Sequence, residues 1–150
     1  MKSFIHRFQV RASLEAVVAF HQDPHALKWL TPPPIWVKFN EIQPLAENSK
    51  SDFTMWVGPI PVRWVAEHSD VNWQNGFTDR QALGPFETWV HRHSFRPLEV
   101  NLTEVVDEIQ AKTGRHPFWG LVSRLMWINL RLLFAYRGWI TRRILERRDQ

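Results

Sequence analysis

The chain has 150 residues, is 44% apolar and 23% charged, and carries a formal net charge of +4. That length supports one domain with a real core, and the apolar fraction is too high for a disordered chain. With no cysteine present, disulfides, thiolate zinc sites and thiol nucleophiles are excluded.

Phe4, His6, Phe8 and Val10 alternate with Ile5, Arg7 and Gln9, which predicts a first strand. No signal peptide is read ahead of it, so the expected compartment is the cytoplasm. Ser13 is placed to cap a short helix from Leu14 to His21, without a capping box, because Ala16 stands where Glu would. Asp23-Pro24 starts a second short helix to Leu30, and Thr31-Pro32-Pro33-Pro34 stops it. Six strands are then expected. They run Ile35 to Ile42, Ser51 to Val57, Val62 to Ser69, a pair within Gly76 to Phe95 joined at Leu83-Gly84-Pro85, and Asn101 to Ala111. One long helix from about Pro117 to Arg147 ends the chain, with an apolar stripe of Phe118, Val122, Met126, Asn129, Leu133, Tyr136, Ile140 and Ile144 facing the sheet. No repeat, low-complexity segment or linker divides residues 1–150, so a single α+β domain is expected.

The segment Gly76 to Phe95 carries the chemistry. Side chains alternate across a strand, so Trp89, His91, His93 and Phe95 share one face, as do Phe77, Asp79 and Gln81 on the strand before it. Two histidines between two aromatics are too polar for an ordinary core and too apolar for an ordinary surface, and the expectation is that this face looks into a pocket. Thr103, Val105, Asp107 and Ile109 share a face of the last strand.

Three uses of the polar residues compete. In the structural one, Asp79 and Asp107 hold His91 and His93, and the network fixes the sheet. In the binding one, the histidines and a helix polar group anchor a ligand whose apolar part meets Trp64, Trp89, Phe95, Met126, Leu133 and neighbours. In the catalytic one, His91, His93, Asp79 and Asp107 exchange protons while Asn129 or Tyr136 steadies an oxyanion. A His-x-His pair can also ligate zinc, but the pattern is short and common, so neither metal nor cofactor is expected. His6, His21 and His68 sit in no local constellation and read as ordinary. Most of the nine tryptophans read as core, with Trp119, Trp127 and Trp139 mostly off the helix stripe.

Charge is uneven. From Lys112 onward there are nine Lys or Arg against two acids, a balance of +7, while residues 1–111 carry ten against thirteen, a balance of −3. A solvated helix face explains this most simply; an anionic membrane or partner surface is the sharper reading. Arg124 and Arg131 make a membrane-spanning role for the last helix too costly, though lying on a membrane surface remains compatible. No phosphate loop, dinucleotide fingerprint or nucleic-acid motif is present. Nothing in the pattern sets an oligomeric state.

The element order, together with particular residues, resembles the helix-grip superfamily of START domains, Bet v 1 allergens and polyketide cyclases, also called SRPBCC. The resemblance covers essentially the whole chain and leans toward the bacterial cyclase/dehydrase-like ligand-binding branch. It rests on Phe20-His21-x-x-Pro24 with Leu27 and Leu30-Thr31-Pro32-Pro33, Phe77-Thr78-Asp79, Gly84-Pro85-Phe86, Trp89-x-His91-x-His93-x-Phe95, Thr103-x-Val105-x-Asp107 and Leu133-Phe134-x-Tyr136-Arg137. It implies a curved antiparallel sheet of about seven strands around a long C-terminal helix, with two short helices after the first strand. It also implies a deep apolar cavity between sheet and helix, opening near the short helices, and a small hydrophobic ligand: a lipid, an isoprenoid or an aromatic polyketide-like compound. No fixed catalytic set carries over. A cyclase/dehydrase-type enzyme using the same cavity is the alternative, and a membrane- or partner-interaction module the second alternative.

Overall fold

A computed structural model describes residues 1–147. Its elements are β1 (Lys2–Val10), α1 (Leu14–Gln22), α2 (Ala26–Trp29), β2 (Trp36–Ile42), β3 (Lys50–Val57), β4 (Ile60–Asn72), β5 (Gly76–Leu83), β6 (Phe86–Glu99), β7 (Leu102–Thr113), α3 (Pro117–Ile128) and α4 (Leu130–Leu145). The strands form one seven-stranded antiparallel sheet in the order β1-β7-β6-β5-β4-β3-β2. Each hairpin neighbour lies beside its predecessor, and β7 returns to pair with β1. α4 packs on β1, while α3 reaches β6 and β7.

Local chemistry explains the element ends. Ser13 Oγ accepts from the Ala16 amide at 3.2 Å and caps α1. The second helix is shorter than its sequence signal: Asp23 Oδ1 accepts from the His25 amide at 2.9 Å, making a turn, and the helix proper begins only at Ala26. Gly76 opens β5 with φ of +138°, and a Cβ there would collide with the His93 carbonyl on the paired strand. Gly76→Ala is therefore expected to destabilise the fold by about 1–3 kcal/mol through strain and collision, read from a urea unfolding curve. An unchanged midpoint would show that the hairpin relaxes freely.

The C-terminal segment differs from the expectation in two ways. It is interrupted at Asn129, whose own side-chain amide donates to the Leu125 carbonyl at 2.8 Å, so two helices meet there. It is also rotated. The residues buried against the sheet are Gly120, Ser123, Leu130, Phe134, Gly138, Thr141 and Leu145, not the stripe from Phe118 to Ile144. The two faces lie about 120° apart at 100° per residue. The segment is apolar on more than one side, so hydrophobic periodicity alone could not choose. Small residues decide it: a Cβ on Gly138 would stand 3.3 Å from His6 and 3.4 Å from Phe8, so this face sits closest to β1.

The core forms two clusters on the concave side of the sheet. One gathers Phe8, Val10, Val17, Phe77, Phe95, Val105 and Leu145. The other gathers Phe53, Trp64, Phe86, Trp89, Ile109, Leu130 and Phe134.

Candidate functional site

A row of polar side chains lies between these two clusters. Strand register produces it. His93 pairs with Asp107 on one side and Phe77 on the other, His91 pairs with Asp79 and Ile109, and His68 pairs with Asp79. Paired residues point to the same side of a sheet. Three histidines and two aspartates from β4 to β7 therefore meet on the concave face.

Their contacts form a chain. The Ser51 hydroxyl lies 3.1 Å from His68 Nε2. His68 Nδ1 lies 2.6 Å from Asp79 Oδ1, and His93 Nε2 lies 3.0 Å from Asp79 Oδ2. His93 Nδ1 stands 3.1 Å from Asp107 Oδ1, an ion-pair contact out of line for a good hydrogen bond. His91 Nε2 lies 2.9 Å from the same oxygen. With both carboxylates ionised, imidazole N–H groups must donate to them.

Burial divides the histidines. Burial pushes His91 down to about 4, helped by the neighbouring charge on His93, so it is neutral at pH 7. Burial also opposes charge on His93. The contacts with Asp107 and Asp79 reverse that and raise it to about 9, so His93 is an imidazolium. Burial works against charge on Asp79 and Asp107 too, yet their histidine partners hold both carboxyls below the usual range. Arg137 adds a second cation, its Nε donating to the Leu30 carbonyl at 3.2 Å and its guanidinium lying 5.1 Å from the Phe134 ring. Two carboxylates against one imidazolium and one guanidinium make the interior neutral. Neutralisation of this kind is what allows buried charge to persist.

The aromatic surroundings are equally specific. The His91 and His93 rings lie 3.8 Å apart between centroids. Phe77 stacks on His93 at 4.4 Å, and Phe134 meets His91 edge-on at 5.5 Å. Trp64 and Trp89 cross at 5.4 Å beside them. His21 was read as ordinary, but its ring lies 4.8 Å from Phe95 and 6.3 Å from His93, and burial lowers it to about 4.

The sequence-selected residues thus separate. His91, His93, Asp79 and Asp107 come together, with Trp89, Phe95 and Trp64 buried around them. Met126 and Leu133 are half-buried and pack on the Trp64–Trp89 cluster. Asn129 does not join them: it is exposed at the helix break, so its expected place facing the sheet is corrected. Tyr136 is half-buried with its ring 5.8 Å from Trp139. Sequence reading missed His68, Arg137 and Phe134 as members. Their alternation on β4 and spacing on α4 show only after register and helix rotation are known.

The expectation of paired imidazoles looking into an open pocket is also corrected. Both rings are packed against aromatic neighbours; their carboxylate partner Asp79 has the most accessible side chain of the row, at 23% exposure, against 5% for His91. A cleft of about 440 Å³ lies elsewhere, between α1, α2 and the end of α4, lined by Phe20, Ala26, Trp29 and Ile144 among others. Asp79, His91 and His93 place ligating atoms within 4.8 Å of one another, a spacing a cation could bridge. A metal would have to displace the protons that now join imidazole to carboxylate.

No family model matches the sequence, and no curated protein is significantly similar to it. Solved structures are similar in fold. The Zhui aromatase/cyclase from a Streptomyces species superposes with a TM-score of 0.77 at 16% identity, covering 99% of this chain and 96% of that one. A START superfamily protein from Mycobacterium smegmatis gives 0.69 at 14%, covering 97% of each chain. A Thalictrum norcoclaurine synthase point mutant, solved in complex with a transition-state analogue, gives 0.69 at 12%, covering 99% and 96%.

Proposed function

We propose that this chain, which has the helix-grip fold of START and aromatase/cyclase structures, binds a small amphipathic molecule against the concave face of its sheet. The observation that carries the reading is the composition of that face: an aromatic floor of Trp64 and Trp89, a neutralised His–Asp row beside it, and a rim of half-buried, adaptable side chains. Phe39, Met55, Met126 and Leu133 form that rim. Methionine and leucine side chains can swing aside to admit a flat apolar body. The ligand classes that suit it are a lipid, an isoprenoid or an aromatic polyketide-like compound, with a hydroxyl donating toward the His–Asp row.

Binding is favoured over turnover because the imidazoles are held. A general base needs a free lone pair within reach of substrate, whereas His93 is an imidazolium between two carboxylates and His91, which donates through Nε2 to Asp107, keeps its other nitrogen buried on a ring only 5% exposed. The cyclase/dehydrase alternative draws on one feature, the alternation of histidine and aspartate, which offers a path for protons.

Side-chain NMR of the tryptophan indoles during titration with 2-naphthol tests the proposal. Trp64 and Trp89 resonances should move, and 2-methoxynaphthalene, which lacks the donor, should bind about tenfold more weakly, as loss of one hydrogen bond implies. Shifts confined to the outer Trp36–Trp56 stack, or to Trp29 in the helix cleft, would refute it.

A further inference from the structure

The helix face that turns away from the sheet is the least explained surface of the molecule. Phe118, Leu121, Leu125, Ile128, Leu132 and Trp139 are all exposed, Ile128 and Leu132 at 72% each. Their spacing alternates three and four residues up to Leu132, so they form one stripe along α3 and α4, roughly 30 Å long. Scattered exposed apolar residues are ordinary, but a contiguous stripe marks a contact surface.

Charge identifies what the stripe contacts. Between Glu108 and Glu146 the chain carries seven Lys or Arg and no acid. Lys112 and Arg115 are taken up by Glu87, and Arg137 is turned inward to Leu30. Arg124, Arg131 and Arg143 are exposed and make no ion pair among the described residues. Arg124 and Arg131 run along one border of the stripe, about 85° from its centre, while Arg142 is turned to β1, its Nε donating to the Gln9 carbonyl at 2.8 Å. Arg143 lies at its C-terminal end, 5.3 Å from the Trp139 ring. A second copy packed on this face would set arginine against arginine with no acid to offset it.

We propose that the α3–α4 face docks the protein on an anionic lipid bilayer. The helices lie in the plane of the interface, Ile128 and Leu132 enter the acyl boundary, Trp139 sits at headgroup level, and the bordering arginines meet lipid phosphates. No helix among the described residues is long and apolar enough to cross, so the contact is peripheral. This inference is independent of the ligand proposal, because the stripe faces away from the His–Asp row.

Vesicle co-sedimentation of the full chain tests it, using phosphatidylcholine vesicles with and without 30% phosphatidylserine (about one charge per three lipids), at low and moderate salt. Binding should require phosphatidylserine and fall at least tenfold with added salt. The Ile128→Asp/Leu132→Asp and Arg124→Glu/Arg131→Glu variants should each lose at least tenfold, with circular dichroism confirming that both fold. Equal partition to both vesicles, or wild-type binding by the Asp variant, would overturn the proposal. So would a stable dimer in light scattering that the Asp variant abolishes, since a second copy would then own the face.

Discussion

Replacing Asp107 with alanine should lower the unfolding free energy by about 3–5 kcal/mol, the cost of leaving a buried charge without its partner. Asp107 Oδ1 is shared by His91 at 2.9 Å and His93 at 3.1 Å, and its side chain is only 7% exposed. Removing it strands the His91 N–H donor among Trp89, Ile109 and Phe134, where water cannot compensate, and leaves the buried His93 imidazolium with Asp79 as its one remaining carboxylate. Arg137 also loses part of its countercharge, since Asp107 and Asp79 both favour its charged form. The Asp107→Asn variant should lose about half as much, because the amide oxygen can still accept. Urea titration at pH 7 separates the cases. A loss below about 1 kcal/mol for the alanine variant would mean that the row is a passive surface feature.

Stability should peak near pH 6.5 and decline on both sides, and each limb has an owner. Folding lowers His21 and His91 from 6.5 to about 4. Between those values the unfolded chain binds protons that the folded chain refuses, so stability falls as pH drops from 6.5 to 4. Folding raises His93 from 6.5 to about 9. Its stabilisation is complete below 6.5 and is lost as pH rises through 9, an alkaline limb of about 3 kcal/mol. Asp79 and Asp107 are held below 3.8, so their contribution is present above that value and disappears as pH falls beneath it. Urea midpoints from pH 4.5 to 9.5 should trace the dome. His93→Gln should flatten the alkaline limb and leave a reduced acid limb, since burial is the larger cause of the lowered His21 and His91 and the His93 charge the smaller. An alkaline limb that survives the substitution would assign it to another group.

The sheet was legible in the sequence because its signals are local. Alternation in Phe4 to Val10 and in Trp89 to Phe95, the turn at Gly84-Pro85 and the cap at Ser13 each act within a few residues. The meeting of His91 and His93 with Asp79 and Asp107 was legible for the same reason, since a period of two fixes which side chains share a face. His68 was not, because only register between β4 and β5 brings it to Asp79. The helix failed differently. Residues 117–145 are apolar on two sides, one bedded on the sheet through Gly138 and one left outward through Ile128 and Leu132. A hydrophobic period gives the angle between residues, not which of two apolar faces will be buried. The sheet-facing side is chosen by small residues that permit close approach, a criterion of volume rather than hydropathy.

The interior row serves as a held floor for a ligand only if its protons sit where the contacts require. Long-range nitrogen-15 NMR of the histidine rings at pH 7.5 reads those protons one by one. The account predicts both His93 nitrogens protonated, with His91 and His21 each neutral, and no change in these states when 2-naphthol saturates the protein. A neutral His93 that titrates near 6.5, or one that gives up its proton when the probe binds, would contradict it and return the face to acid–base chemistry.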